Sequence, residues 1–170
     1  GKPFDMNEFI SDATDYDSTF MPYAEVADMF IAGHYWAEGS PFLFSREDMK
    51  AESWRIKVVA DVSCDIDGPV ACTLRPSTIA DPIYGYHPLK ESECDMRDAE
   101  GITVMAVDNL PCELPRDASH GFGKEMMAHV IPLLIGGDRD NMLTNATETT
   151  LEGKLAPKFG YLQDYIDQAH

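Results

Sequence analysis

Three short apolar runs constrain this chain more than any other feature. Met29-Phe30-Ile31-Ala32, Ile56-Lys57-Val58-Val59-Ala60-Asp61-Val62 and Ile102-Thr103-Val104-Met105-Ala106-Val107 have strand length and stop at polar or turn-forming residues. Helical signals lie among them. Ser18 or Thr19 is placed to cap a helix through Ala27, with Phe20, Tyr23 and Ala27 on one face. Ser45, with Asp48 three residues later, has the capping-box spacing for a helix over 46–52. This alternation predicts an α/β fold of parallel strands joined by crossovers. The middle run is apolar almost throughout, as in a strand covered on both faces. From Asp65 to Gly101 no periodicity is clear and Pro69, Pro76, Pro82 and Pro88 interrupt, so a long connection is expected there.

Beyond the third run the period changes. Phe122, Met126, Val130 and Leu134 recur every four residues, predicting a helix over 117–135. Pro132 predicts a kink in it, and Gly136-Gly137 a stop. Further helices are expected over 145–152 and from Pro157, where Phe159, Leu162, Tyr165 and Ile166 share a side. The first 17 residues read as acidic and turn-rich.

Charge narrows the function classes. Thirteen Lys and Arg against thirty Asp and Glu leave a formal charge of -17 over 170 residues. Phosphate contacts need clustered cations, so nucleic acid is excluded as a partner and anionic membranes are disfavoured. No apolar run reaches the roughly 20 residues of a spanning helix. Cys64, Cys72, Cys94 and Cys112 form no C-x-x-C pair, which suits the reduced thiols of a cytoplasmic protein. Asp65-Ile66-Asp67-Gly68 has the look of a calcium loop, but Leu74 stands where the twelfth-position Glu is required, and no metal is expected. Dinucleotide glycines, a phosphate loop, H-E-x-x-H and G-x-S-x-G are all missing from these residues.

Parallel sheets bind ligands beyond the carboxyl ends of their strands. Those ends carry Gly33-His34-Tyr35-Trp36, Ser63-Cys64-Asp65-Ile66-Asp67-Gly68 and Asp108-Asn109-Leu110-Pro111. Asp65 is a candidate for orienting a cofactor ring or stabilising a positive charge; the plainer alternative is a turn residue before glycine. His34 is a candidate ligand or acid–base group, against a merely packed histidine, and Tyr35 and Trp36 suit a core equally well.

Two segments are more specific. Val59-Ala60-Asp61-Val62-Ser63-Cys64-Asp65-Ile66-Asp67-Gly68, and Ala106-Val107-Asp108-Asn109-Leu110-Pro111 followed by Leu114-Pro115-Arg116-Asp117-Ala118-Ser119, resemble signatures of the lysine-forming saccharopine dehydrogenase and lysine-ketoglutarate reductase family. Thr78-Ile79-Ala80-Asp81-Pro82-Ile83-Tyr84-Gly85-Tyr86 resembles the loop between them, and the likeness runs from about residue 18 to 136. Alanine dehydrogenase and the nicotinamide-nucleotide transhydrogenases share the pattern more loosely.

The resemblance implies the C-terminal portion of such an enzyme. Residues 1–110 would be the later half of a Rossmann-like dinucleotide-binding domain, with a parallel sheet. Residues 111–170 would be a connecting helix and further helices returning to a substrate domain. It implies NAD or NADP as cofactor, an amino acid as substrate, and the missing N-terminal half and further copies of the chain as partners. Cofactor contacts carry over to His34 and Tyr35, to Val62, Ser63, Cys64 and Asp65, and to Val107, Asp108, Asn109 and Leu110, with Asp65 nearest the nicotinamide as the catalytic candidate. The chemistry implied is hydride transfer through an imine, with acid–base groups lying upstream and the isolated fragment inactive. An alanine dehydrogenase and a non-catalytic acidic α/β binding module are the alternatives.

Overall fold

A computed structural model describes residues 4–36 and 39–168. The chain divides into two compact units, the first ending at Glu113 and the second beginning at Leu114.

The first unit is built on a five-stranded sheet. Strands β1 (Met29–Ala32), β2 (Val58–Asp61), β3 (Ile83–His87), β4 (Ser92–Cys94) and β5 (Ile102–Met105) stand in the order β1-β2-β5-β3-β4. The three runs picked out by their apolar character are β1, β2 and β5, and they pair in parallel, with Phe30 opposite Val59 and Val59 opposite Val104. The fold is α/β, as expected, but the sheet is mixed. The stretch expected to be an open connection contains an antiparallel hairpin, β3 and β4, with β3 pairing antiparallel to β5. Its strands escape a periodicity search because they are short and because Gly85 sits inside β3. That glycine is needed there, since a Cβ would lie 2.5 Å from the Asp95 carbonyl oxygen.

Strand alternation sorts the faces. Ala32, Val59, Asp61, Ile102 and Val104 are buried on one side, where they join Ala24, Phe44, Met49, Trp54 and Ile56 in the core. Phe44 packs edge-on against Trp54 at 4.9 Å and Phe20 against Phe30 at 4.8 Å. The opposite face carries Met29, Ile31, Val58, Ala60, Thr103 and Met105, all partly or largely exposed. The expectation that the middle strand is covered on both faces is therefore corrected for the first unit: an apolar run reports what a strand tolerates, and no element of this unit covers this side.

Helices in this unit are short. Asp5 caps α1 (Met6–Ser11) by accepting from the Asn7 and Glu8 amides, in a stretch read as acidic and turn-rich. The helix expected through Ala27 is limited to α2 (Met21–Ala24). The Ser45–Asp48 capping box forms reciprocally, with the Ser45 amide donating to Asp48 at 2.7 Å and the Asp48 amide to Ser45 Oγ at 3.1 Å. It opens only one 3-10 turn, Asp48–Lys50.

In the second unit α3 (Pro115–Glu125) runs through a π segment, Met126–Val130, into α4 (Ile131–Gly136). Pro132 explains the wide turn. It has no N–H for the Ala128 carbonyl and its ring crowds that group, so the ladder shifts and the Ile131 N–H reaches Met126. Gly137, at φ +94°, ends the helix. The expected helix over 145–152 is displaced to α5 (Met142–Ala146), because the Asp138 carboxylate accepts from the Leu143 and Thr144 amides and starts it early. A 3-10 segment, Pro157–Leu162, leads into α6 (Gln163–Gln168). No described residue of this unit is buried, and Phe122, Met127 and Leu134 stand open. No helix of the described residues is long and apolar enough to cross a membrane.

Candidate functional site

Because β1, β2 and β5 are parallel neighbours, their carboxyl ends lie along one edge of the sheet. The Val62 amide donates to the Ala32 carbonyl at 2.8 Å, extending the β1–β2 pairing to the edge. Beyond it the Ser63 hydroxyl donates to the His34 carbonyl at 2.9 Å. The β5 exit is held from the other side: the Ala106 amide donates to Ser77 Oγ at 3.0 Å and the Ser77 amide returns to the Ala106 carbonyl at 2.8 Å.

The β2 exit is organised by Asp61, which is 1% exposed. One carboxylate oxygen accepts from the Ser63 and Cys64 amides at 3.0 and 3.1 Å, and the other from the Thr73 hydroxyl at 2.6 Å. A buried carboxylate satisfied in this way turns the chain sharply, and Cys64 takes a left-handed conformation at φ 56°. Burial pushes the Cys64 thiol up, and the carboxylates of Asp61, Asp108 and Asp65 push it further. It is therefore a thiol rather than a nucleophilic thiolate at neutral pH. The same influence places the charges of Asp108, from the β5 exit, and Asp65 within electrostatic reach of Cys64.

Asp65 begins a tight turn through its backbone, not its side chain. The Gly68 amide donates to the Asp65 carbonyl at 3.1 Å, and a Cβ on Gly68 would fall 2.7 Å from that of Asp65. The Asp65 carboxylate itself accepts no hydrogen bond among the described residues. That weakens the reading of Asp65 as a side-chain turn former, because such a residue bonds its own backbone.

At the β1 exit a cavity of about 280 Å³ is lined by Phe9, His34, Tyr35, Trp36 and Leu43 among others. His34 Nε2 is buried there without a hydrogen-bond partner. Trp36 is anchored by its indole N–H to the Ser40 carbonyl at 3.1 Å, while Tyr35 is 91% exposed. Tyr35 thus belongs to neither core nor turn. Asp108 and Asn109 are exposed, Val107 is buried, and Leu110 begins the following 3-10 turn. The structure links the β1 and β2 exits through Ser63 and His34, and brings Cys64, Asp65 and Asp108 into one electrostatic group. It records no hydrogen bond between Asn109 and Asp65.

Sequence reasoning passed over Asp61, although a carboxylate inside an apolar run was a usable signal. Thr73 and Ser77 carried none, being ordinary polar residues in an irregular stretch.

No family model matches the chain. It is 30% identical to an alpha-aminoadipic semialdehyde synthase of Arabidopsis thaliana over 129 residues, which are 72% of this chain and 12% of that protein. It is 23% identical to the mitochondrial alpha-aminoadipic semialdehyde synthase of Mus musculus, over 87% of this chain and 18% of that protein. The likeness to the NAD(+), L-lysine-forming saccharopine dehydrogenase of Schizosaccharomyces pombe is 25%, over 66% of this chain and 30% of that protein. The chain is a distant homologue of these proteins. It spans between 12% and 30% of their length. The similarity expected from the DNLP and LPR segments is thus found with saccharopine dehydrogenases.

Proposed function

We propose that this chain contributes the nicotinamide-binding edge of an NAD(P)-linked oxidoreductase acting on an amino-acid C–N bond, of the saccharopine dehydrogenase type and in lysine metabolism. The observation that carries the reading is the shared edge of three parallel strand exits, two of them tied by the Ser63–His34 hydrogen bond. Distant likeness to saccharopine dehydrogenase supports it. The residues present suit the nicotinamide end of such a cofactor: an unpartnered buried His34 Nε2, an unbonded Asp65 carboxylate and an exposed residue at each exit, Tyr35, Val62 and Asp108. They do not suit its phosphates. Asp61, Asp65 and Asp108 at this edge repel anions, so the pyrophosphate belongs to residues outside this chain.

When bound, the cofactor accepts or donates the hydride. His34, Tyr35, Val62, Ser63 and Cys64, with Val107, Asp108, Asn109 and Leu110, would hold its ribose and ring edges. The charge of Asp65, the catalytic candidate, would favour the oxidised, cationic ring over the neutral reduced one. Asp61 and Thr73 keep the β2 exit in shape without touching the ligand. The remainder of a longer polypeptide supplies proton transfer, an amino-acid substrate completes the reaction, and a reducing, cytoplasmic setting suits the four free cysteines. A second copy would pair along β1, one of the two edge strands among the described residues, where Met29 and Ile31 are 55% and 63% exposed.

Titrating the chain with nicotinamide mononucleotide and, separately, with AMP tests the assignment by amide chemical shifts. The mononucleotide is expected to move His34, Ser63, Asp65 and Asn109, and AMP to leave them unchanged. Equal responses to the two, or none to either, would refute it.

A further inference from the structure

A second cavity, of about 270 Å³, lies at the opposite end of the same sheet. Lys57 precedes β2, Ile102 opens β5 and His87 closes β3, so its walls are fixed by the amino ends of the parallel strands. The 3-10 turn and the loop after it add Met49 and Trp54, and Trp54 is locked by its indole N–H to the Ile56 carbonyl at 2.9 Å. Leu89 and Glu100 complete the part that matters. The volume falls just below the roughly 300–1,000 Å³ of pockets for drug-sized ligands, which suits a small metabolite.

The polar groups of this cavity are unequal. Lys50 also reaches it, but its ammonium is held by Glu91 at 2.7 Å and Glu47 at 2.9 Å, so its charge is already matched. Lys57 has no carboxylate partner among the described residues. His87 is 3% exposed and its Nδ1 has no hydrogen-bond partner. An orphaned buried acceptor nitrogen is cheaper than an orphaned N–H, so the hydrogen-bond pattern assigns an N–H to Nε2. That Nε2 stands 3.4 Å from Glu100 Oε2, too long for a good hydrogen bond, and Glu100 is 75% exposed and free to turn. The cavity therefore offers one cation and one N–H donor, one carboxylate, and an apolar wall.

We propose that this cavity is a binding site for a free α-amino acid with an apolar side chain, separate from the strand-exit edge and independent of its assignment. The ligand carboxylate is taken by the Lys57 ammonium and the His87 Nε2–H, its ammonium by Glu100, and its side chain lies against Met49, Trp54 and Leu89. Only a zwitterion satisfies both signs of charge. A plain anion leaves Glu100 opposed and a plain amine leaves Lys57 opposed.

The test uses the 170-residue chain and three probes: L-leucine, 4-methylpentanoate, which lacks the ammonium, and isoamylamine, which lacks the carboxylate. Binding is followed by the Trp54 indole N–H resonance, with Trp36 as the control in the other cavity. L-Leucine is expected to shift Trp54 saturably and Trp36 not at all, and each half-ligand to bind at least about tenfold more weakly. Lys57→Met and Glu100→Gln, both at exposed positions, should each weaken leucine by a similar factor, while Glu100→Gln leaves 4-methylpentanoate unaffected or improved. Absence of saturable leucine binding up to millimolar concentration, a half-ligand as good as leucine, or leucine shifts at Trp36 in place of Trp54 would overturn the proposal.

Discussion

The Thr73 hydroxyl donates to the Asp61 carboxylate across 2.6 Å, joining the end of β2 to a residue twelve positions later in an irregular stretch. Both partners are buried, and the other carboxylate oxygen accepts the Ser63 and Cys64 amides. Asp61→Ala removes three hydrogen bonds and leaves a buried hydroxyl unpaired. It should destabilise the chain by about 2–4 kcal/mol. Urea unfolding with an unchanged slope and a lowered midpoint is the expected result. A change below ~0.5 kcal/mol, the range of ordinary surface substitutions, would show that the carboxylate is dispensable.

Asp65 should behave in the opposite way. Its carboxylate accepts no hydrogen bond among the described residues, so Asp65→Asn is expected to leave the unfolding midpoint where it is. In the complete polypeptide the same change should lower turnover at least roughly tenfold, about 1.4 kcal/mol of transition-state stabilisation. The 170-residue chain alone should show no hydride transfer with saccharopine, with lysine and 2-oxoglutarate, or with alanine. Kinetics equal to the parent's in the complete variant, or turnover by the chain alone, would place the chemistry elsewhere.

Alkaline stability follows from two buried groups. Burial pushes the Cys72 thiol up to about 12, with the Asp61 carboxylate adding to the effect, and pushes the Tyr84 hydroxyl up to about 12. Tyr84 donates to the Cys72 carbonyl at 3.1 Å and accepts from the Leu74 amide at 3.0 Å. Once unfolded, the thiol loses its proton near its ordinary value of 9.0 and the phenol near 10.0. The folded state then holds more protons than the unfolded one, so stability falls as pH rises. Unfolding free energy should be insensitive to these groups below pH 8 and decline from about pH 9 towards 12. Cys72→Ser should remove the earlier part of that decline. Under native conditions at neutral pH, exposed Cys112 should be alkylated first and buried Cys72 only on unfolding.

Open edges and exposed apolar residues bear on assembly. β1 has one neighbour, β2, and presents Met29 and Ile31 to solvent. Sedimentation at rising concentration should reveal association of the chain, and Ile31→Lys should abolish it by placing a charge on the edge. A monomer at all concentrations, or an Ile31→Lys variant that associates equally well, would count against pairing through β1.

Local chemistry was enough for the three parallel strands, the Ser45–Asp48 capping box, the disturbance around Pro132 and the stop at Gly137, because each depends on residues within a turn or two of one another. It was enough, too, to mark the three strand exits, since a polar break after an apolar run is visible in one dimension. Tertiary structure decided the rest. The β3–β4 hairpin owes its existence to pairing with β5 across the sheet, a long-range gain that short, glycine-interrupted strands do not announce. Which face of β2 is covered depended on what packs there, and an apolar run reads alike in either case. Asp61 is one polar residue in an apolar run, and its partner Thr73 comes from a stretch with no pattern of its own. A buried carboxylate is affordable only where donors converge on it, and convergence is a property of three dimensions.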